Sequence, residues 1–181
     1  MLLSGFHPQN QFRYLPSANP YCAKIRGFAP WAFTDEDTEQ FRGKWVSEFG
    51  GERIMVEIGC NGGHVLNEWA LRNPRDHYVG IDWKFKQIFR GAEKAVKRGI
   101  KNVTFLRANA VRLAHIFATG EVDELAIFFP DPWPKRAQTR NRLLSADWFK
   151  CVAPLLKPGG RILFKTDHRE YFESVLNALS E

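Results

Sequence analysis

Phe128-Phe129-Pro130-Asp131-Pro132-Trp133-Pro134-Lys135 sets one acid, one indole and one ammonium among three prolines. Proline fixes its own φ and offers no N–H, so this segment neither continues a central strand nor opens an ordinary helix. It reads as a stiff loop at the carboxyl end of an apolar strand, Leu125–Phe129, where open α/β sheets bind their ligands. The cations Lys135, Arg136, Arg140 and Arg142 follow closely. A fixed carboxylate accepts ring N–H groups, an indole offers a flat face, and cations neutralise phosphates. Together they suit a nucleobase and its backbone. A proline-stiffened turn with a solvated basic flank is the plainer reading of the same residues.

A second loop carries complementary chemistry. Ile54–Ile58 is a short apolar strand that runs into Gly59-Cys60-Asn61-Gly62-Gly63. Glycines there let the backbone turn sharply and approach a ligand with no Cβ in the way. Asn61, which tolerates positive φ, stands where a further glycine is usual. Glu57 immediately precedes the loop, and a carboxylate at that point disfavours a pyrophosphate. It suits a cationic ligand with an ammonium and a sulfonium, namely S-adenosylmethionine. Asp82, at the end of the next strand, is placed to accept two ribose hydroxyls. Asn109, after the strand that follows, can offer its amide to an adenine edge. Each alone is also a common cap or turn residue. Three polar residues at three successive strand ends form a pattern.

The elements that position these loops alternate. The spacing predicts a helix from an N-cap at Thr34 through Phe41, Trp45 and Phe49, closed by Gly50-Gly51. Strands follow at 54–58, 78–82, 103–106, 125–129 and 161–165, separated by a helix with Val65, Leu66, Trp69 and Ala70 inward that stops at Asn73-Pro74 and by helices near 84–98, 111–118 and 143–156, with a last helix toward Glu181. Lys157-Pro158-Gly159-Gly160 reads as the turn into the fifth strand. Alternating β and α implies a Rossmann-like, doubly wound α/β sheet, mostly parallel, with helices on both faces. We expect one structural domain: an N-terminal arm and helix over residues 1–52, packed on a core at 53–181.

Bulk properties agree with a globular chain that meets a polyanion. The 181 residues are 44% hydrophobic and carry a net charge of +6. Residues 84–112 hold nine Lys or Arg against the single anion Glu93, which points to nucleic acid or to a solvated helix face. The irregular segment 1–30, rich in proline and aromatics, either covers the core or touches RNA. Three widely spaced cysteines without CxxC, and no HExxH, offer no metal framework and fit a reducing, cytoplasmic setting. No stretch has transmembrane length, so no membrane partner is expected.

Glu57-Ile58-Gly59, Gly80-Ile81-Asp82, Asn109-Ala110, Phe129-Pro130-Asp131-Pro132-Trp133-Pro134-Lys135, Arg140-Asn141-Arg142-Leu143 and Thr166-Asp167 occur in this order. From Arg53 onward the chain resembles the bacterial tRNA (guanine-N7)-methyltransferases, class I enzymes that methylate a guanine in the tRNA variable loop. The resemblance implies that Glu57, Gly59, Asp82, Asn109 and Asp131 bind S-adenosylmethionine and that Asp131 is catalytic. It assigns Lys135 and Asp167 to substrate, and the 137–142 segment with Arg140 and Arg142 to the RNA backbone. It implies tRNA as partner and no metal, and leaves monomer or homodimer open. Asn109 replaces an acid found in some members. Two further C-terminal strands with a T-x-[FY]-E motif, usual in the family, are not seen before Glu181. The expectation attached to that departure is an alternative role as a tRNA-binding protein without turnover.

Overall fold

The computed structural model describes residues 19–180. The aromatics Phe6, Phe12 and Tyr14 of the expected arm therefore lie outside the described residues. Six strands are present: β1 Ala32–Thr34, β2 Ile54–Ile58, β3 His77–Asp82, β4 Val103–Arg107, β5 Val122–Phe128 and β6 Leu156–Lys165. The helices are α1 Pro20–Arg26, α2 Trp45–Phe49, α3 His64–Arg72, α4 Phe85–Lys97, α5 Leu113–Ile116, α6 Ala146–Val152 and α7 Arg169–Leu179. All strands pair in parallel, in the order β1-β4-β3-β2-β5-β6. From β2 the chain moves outward through β3 and β4, then returns to the other side of β2 as β5. This reversal opens a crevice between the carboxyl ends of β2 and β5.

Apolar runs make the central strands because both faces of a parallel sheet are covered. Every residue of β2 is buried, and Ile54, Val56 and Ile58 face a core built with Leu113, Ile116, Trp148 and Val152. Met55 belongs to the opposite core, with Leu66, Ile88, Ala92 and Phe105. Tyr21 and Phe28 pack against Phe89, so the described part of the N-terminal segment covers α4.

Three expectations about elements need correction. The helix expected across 34–50 is broken. Thr34 ends the edge strand β1 and makes no side-chain cap, residues 35–38 form one 3-10 turn, and α2 begins only at Trp45. The cause is Glu121, a buried carboxylate that accepts from the N–H groups of Gly43, Trp45 and Ala118 at 2.7–3.0 Å. With Gly43 at φ +75°, the chain turns there. Phe41, Trp45 and Phe49 still meet, with ring centroids 4.8–5.5 Å apart.

The Lys157–Gly160 segment is an irregularity inside β6 and not a turn before it. Val122 pairs with Leu156 and Glu124 with Arg161, so four residues bulge against one. Lys157 anchors the bulge on Asp123 at 2.7 Å, and Asp123 also accepts from Ile54 N. The helix expected at 143–156 starts at Ala146, because the Ser145 hydroxyl caps Trp148 N.

A socket of glycines locks α3 and α4 onto the sheet. The fully buried Phe105 ring lies against Gly63, Gly80 and Gly91, where an added Cβ would come within 2.6, 2.9 and 2.7 Å of it. At Gly80 the same Cβ would also stand 2.6 Å from Leu66. Replacing Gly80 by Ala is expected to destabilise the protein by about 1–3 kcal/mol through overpacking. Thermal unfolding would then shift down by several degrees, roughly 2–4 °C per kcal/mol. An unchanged melting temperature would contradict the socket.

Candidate active site

The loops after β2 and β5 face each other across the crevice and enclose a cavity of about 490 Å³. Ile58, Ile81 and Ile127, apolar residues at the carboxyl ends of three adjacent strands, form its floor. After β2 the backbone turns at Gly59 (φ +75°), Asn61 (φ +50°) and Gly63 (φ +66°). Gly59 N and Cys60 N both donate to Ile81 O at 2.8 and 3.1 Å, which keeps the loop against β3. Asp82 completes the tie: Oδ2 accepts from Asn61 N at 3.0 Å and Oδ1 from Lys84 N at 2.8 Å. Each oxygen keeps acceptor capacity, and Asp82 lines the cavity.

Asn109 stands on the next wall. Its Oδ1 accepts from Val111 N at 3.1 Å, so the cap fixes the side chain and leaves the amide N–H groups as donors. Glu57 lies beneath the cavity and not on its wall. It is 4% exposed, its Oε2 has no hydrogen-bond partner in the protein, and its carboxyl is pushed up to about 7, first by burial and then by the nearby charge of Asp82. That shift favours the neutral acid by roughly 3 kcal/mol. A cationic group brought to this end of the crevice would offset the cost, so the site fits a ligand with an ammonium or sulfonium better than an anionic one.

The opposite wall is the proline loop. Phe129 (φ +51°) and Trp133 (φ +44°) adopt left-handed backbone, and with Asn61 they are the non-glycine residues at positive φ among the described residues. All three line this cavity. For Phe and Trp that conformation costs about 1–2 kcal/mol each. Anchors on both sides hold it: Phe129 N donates to Lys165 O of β6 at 2.8 Å, and Arg142 Nε donates to Pro132 O at 2.8 Å. Asp131, exposed, is presented between them on the cavity wall.

The structure thus brings Gly59, Asp82, Asn109 and Asp131 together around one cavity, with Glu57 behind it. The cations expected to bind substrate are placed differently from one another. Lys135 and Arg140 are exposed beyond the cavity rim. Arg142 points into the fold: its side chain is 8% exposed, lies 5.0 Å over the Tyr171 ring, and bonds Ser174 besides Pro132. Asp167 is exposed just past the Phe128–Lys165 register pair, beside the start of the proline loop. The cap of α7 is His168, whose Nδ1 accepts from Tyr171 N.

Part of the basic segment is engaged: Lys94 of α4 bonds Gly62 O and His64, Lys97 pairs with Glu93 one turn back on the same helix, and Arg98, just past the helix, pairs with Glu68. Trp83, Lys84, Gln87 and Asn141 also line the cavity and were not expected there. For Trp83 a signal existed in its position directly after the strand-end acid. Among the described residues no group of three or more His, Cys, Asp or Glu could hold a metal ion, and no helix is long and apolar enough to cross a membrane.

A family model described as "Putative methyltransferase" matches residues 51–181. The tRNA (guanine-N(7)-)-methyltransferase of Bacillus licheniformis is 37% identical over 172 residues, 94% of this chain and 78% of that protein. Its counterpart in Enterococcus faecalis is 34% identical over 170 residues, covering 93% and 77%. A bifunctional glycosyltransferase/methyltransferase of Fusobacterium nucleatum is 36% identical over 160 residues, 87% of this chain but 25% of that longer protein. Among solved structures, the antibiotic-resistance methyltransferase Kmr superposes with a TM-score of 0.57 at 17% identity, covering 77% of this chain and 82% of that one. A 16S rRNA (adenine(1408)-N(1))-methyltransferase from Catenulisporales acidiphilia gives a TM-score of 0.53 at 23% identity, covering 72% and 62%. At these identities the structures establish the class I methyltransferase fold alone. The sequence relatives go further, because they match at 34–37% identity over nearly all of the chain: it belongs to the tRNA (guanine-N7-)-methyltransferase family.

Proposed function

We propose that this chain transfers a methyl group from S-adenosylmethionine to N7 of a guanine in the variable loop of tRNA, in the cytoplasm, with the chemistry carried by residues 53–181. The observation that carries the reading is the cavity at the β2/β5 crevice, with Asp82 and Asn109 on one side and the constrained Asp131 on the other. Relatives that match most of the chain are named as enzymes, which favours turnover over tRNA binding alone.

When bound, S-adenosylmethionine supplies an electrophilic methyl on a sulfonium. The residues of this chain then have separable tasks. Asp82 accepts the ribose hydroxyls with the acceptor capacity left by its two backbone bonds. Asn109 donates its amide to the adenine edge. Gly59 lets the backbone approach, and Glu57 compensates cationic charge from below.

Guanine N7 carries an in-plane lone pair and is nucleophilic at neutral pH, so no residue need remove a proton from it. Catalysis reduces to alignment and exclusion of water. Asp131 accepts from guanine N1–H and N2–H and balances the positive charge that grows on the ring. Trp133 walls the pocket, and Asp167 adds an acceptor at the neighbouring strand end. Lys135 and Arg140, both exposed, neutralise phosphates of the loop. Arg142 serves this reading indirectly, by holding Pro132 and hence Asp131 in place. A flexible variable loop lets the base leave its local contacts at low cost.

Two outcomes test the assignment. Asp131→Ala should lower methyl transfer by about 100-fold or more, in the range of a lost electrostatic contact to the transition state, with S-adenosylmethionine still bound. Equal loss of transfer and cofactor binding would remove Asp131 from the guanine site.

The second outcome concerns pH. The folded-state carboxyl of Glu57 is raised, so its contribution to stability is fully present below 4.5 and is lost as pH rises to about 7. Glu57→Gln should flatten that decline and raise apo stability above pH 7. Because a cation favours ionised Glu57, cofactor affinity in the wild type should rise with pH up to about 7, and in Glu57→Gln it should not. Parallel pH profiles for the two proteins, measured by calorimetric titration, would contradict the charge role.

A further inference from the structure

Arg107 ends β4 with 0% exposure, deep in the sheet and off the cavity wall. A guanidinium removed from water costs several kcal/mol unless it is well compensated. Part of the compensation is aromatic. Its Cζ lies 3.8 Å from the centroid of the Trp83 ring and 4.4 Å from that of Phe85, both within cation–π range, and its Nε donates to Trp83 O at 3.2 Å.

Trp83 is gripped from a second side as well. The Asp82 carboxylate bonds Lys84 N across it, closing a tight turn with Trp83 at its centre. The indole therefore has backbone and ring both fixed, while it remains 38% exposed and lines the cavity beside the acid assigned to the ribose. Asp82 and Arg107 are register partners on adjacent strands, so the same strand pair that sets the acid also sets the cation beneath the indole.

We propose that Arg107 is a positioning residue for the cofactor's adenine: it holds Trp83 as a fixed aromatic wall and so sets cofactor affinity without touching the ligand. The inference rests on the reading that a nucleoside cofactor occupies this cavity. An indole that would otherwise sample several rotamers is fixed before binding, which lowers the ordering cost on association. A cation on one face of the ring also complements an electron-rich purine on the other.

The test compares Trp83→Ala, Arg107→Met, Arg107→Lys and the Trp83→Ala/Arg107→Met double variant. The readouts are the Kd for S-adenosylhomocysteine by calorimetry and the fold by circular dichroism. Trp83→Ala and Arg107→Met should each weaken binding about tenfold, and the double variant should be no weaker than either, since both remove one element. Arg107→Lys, which keeps the charge but loses the planar face and the Nε bond, should fall between wild type and Arg107→Met. At saturating S-adenosylmethionine, kcat should hold within about twofold while KM for the cofactor rises.

Losses that multiply to about 100-fold in the double variant would overturn the proposal. So would a wild-type Kd in Trp83→Ala or in Arg107→Lys, and these two variants decide the question if Arg107→Met fails to fold. Wild-type protein that binds no S-adenosylhomocysteine would overturn both this inference and the function proposed above. Normal cofactor binding without methylation of tRNA would overturn the function alone.

Discussion

The carboxylate of Asp82 is the joint on which the site depends. With one oxygen it holds the loop after β2, with the other it closes the turn into α4, and it sits at a strand end facing the cavity. Parallel strands end together at one edge of a sheet, so polar residues placed last in each strand converge there without further instruction. Ile58, Ile81 and Ile127 make the floor, and whatever follows each of them makes a wall. The Phe105 socket matters for the same reason: Gly63, Gly80 and Gly91 let α3 and α4 approach closely enough that the loop after β2 arrives where Asp82 can reach it.

The other wall is built on strain. Left-handed Phe129 and Trp133 would relax if the loop were free, and prolines at 130, 132 and 134 remove many of the conformations into which it could relax. The bond to Lys165 and the Arg142 clamp complete the restraint. The product of this cost is an exposed acid at a fixed position. A reaction that needs alignment more than proton transfer gains most from such a device. The buried carboxyl of Glu57, with its Oε2 unbonded, is a second local cost at the same crevice, and it too is a cost that a cationic ligand would offset.

Much of this was legible in the sequence because it is local. Apolar runs marked the five strands β2 to β6, glycines and prolines marked the loops, and the polar residues at the strand ends marked the cavity. What escaped depends on partners far along the chain. Phe41, Trp45 and Phe49 have helical spacing, but Glu121, more than seventy residues away, takes the N–H groups that a helix would use. Arg142 sits in a basic run that reads as a solvated strip, yet Pro132 and Tyr171 draw it inward. Trp83 and Arg107 meet only because β3 and β4 are neighbours in register. Local pattern locates the loops. Which side chains turn toward the cavity is decided by tertiary contacts.

The central claim is that this crevice methylates guanine N7 in tRNA. It is tested most directly by supplying labelled S-adenosylmethionine and unmodified tRNA, then digesting the tRNA to nucleosides. The account predicts label in 7-methylguanosine, recovered from a variable-loop fragment. Label in any other nucleoside, or none while the cofactor is bound, would contradict it.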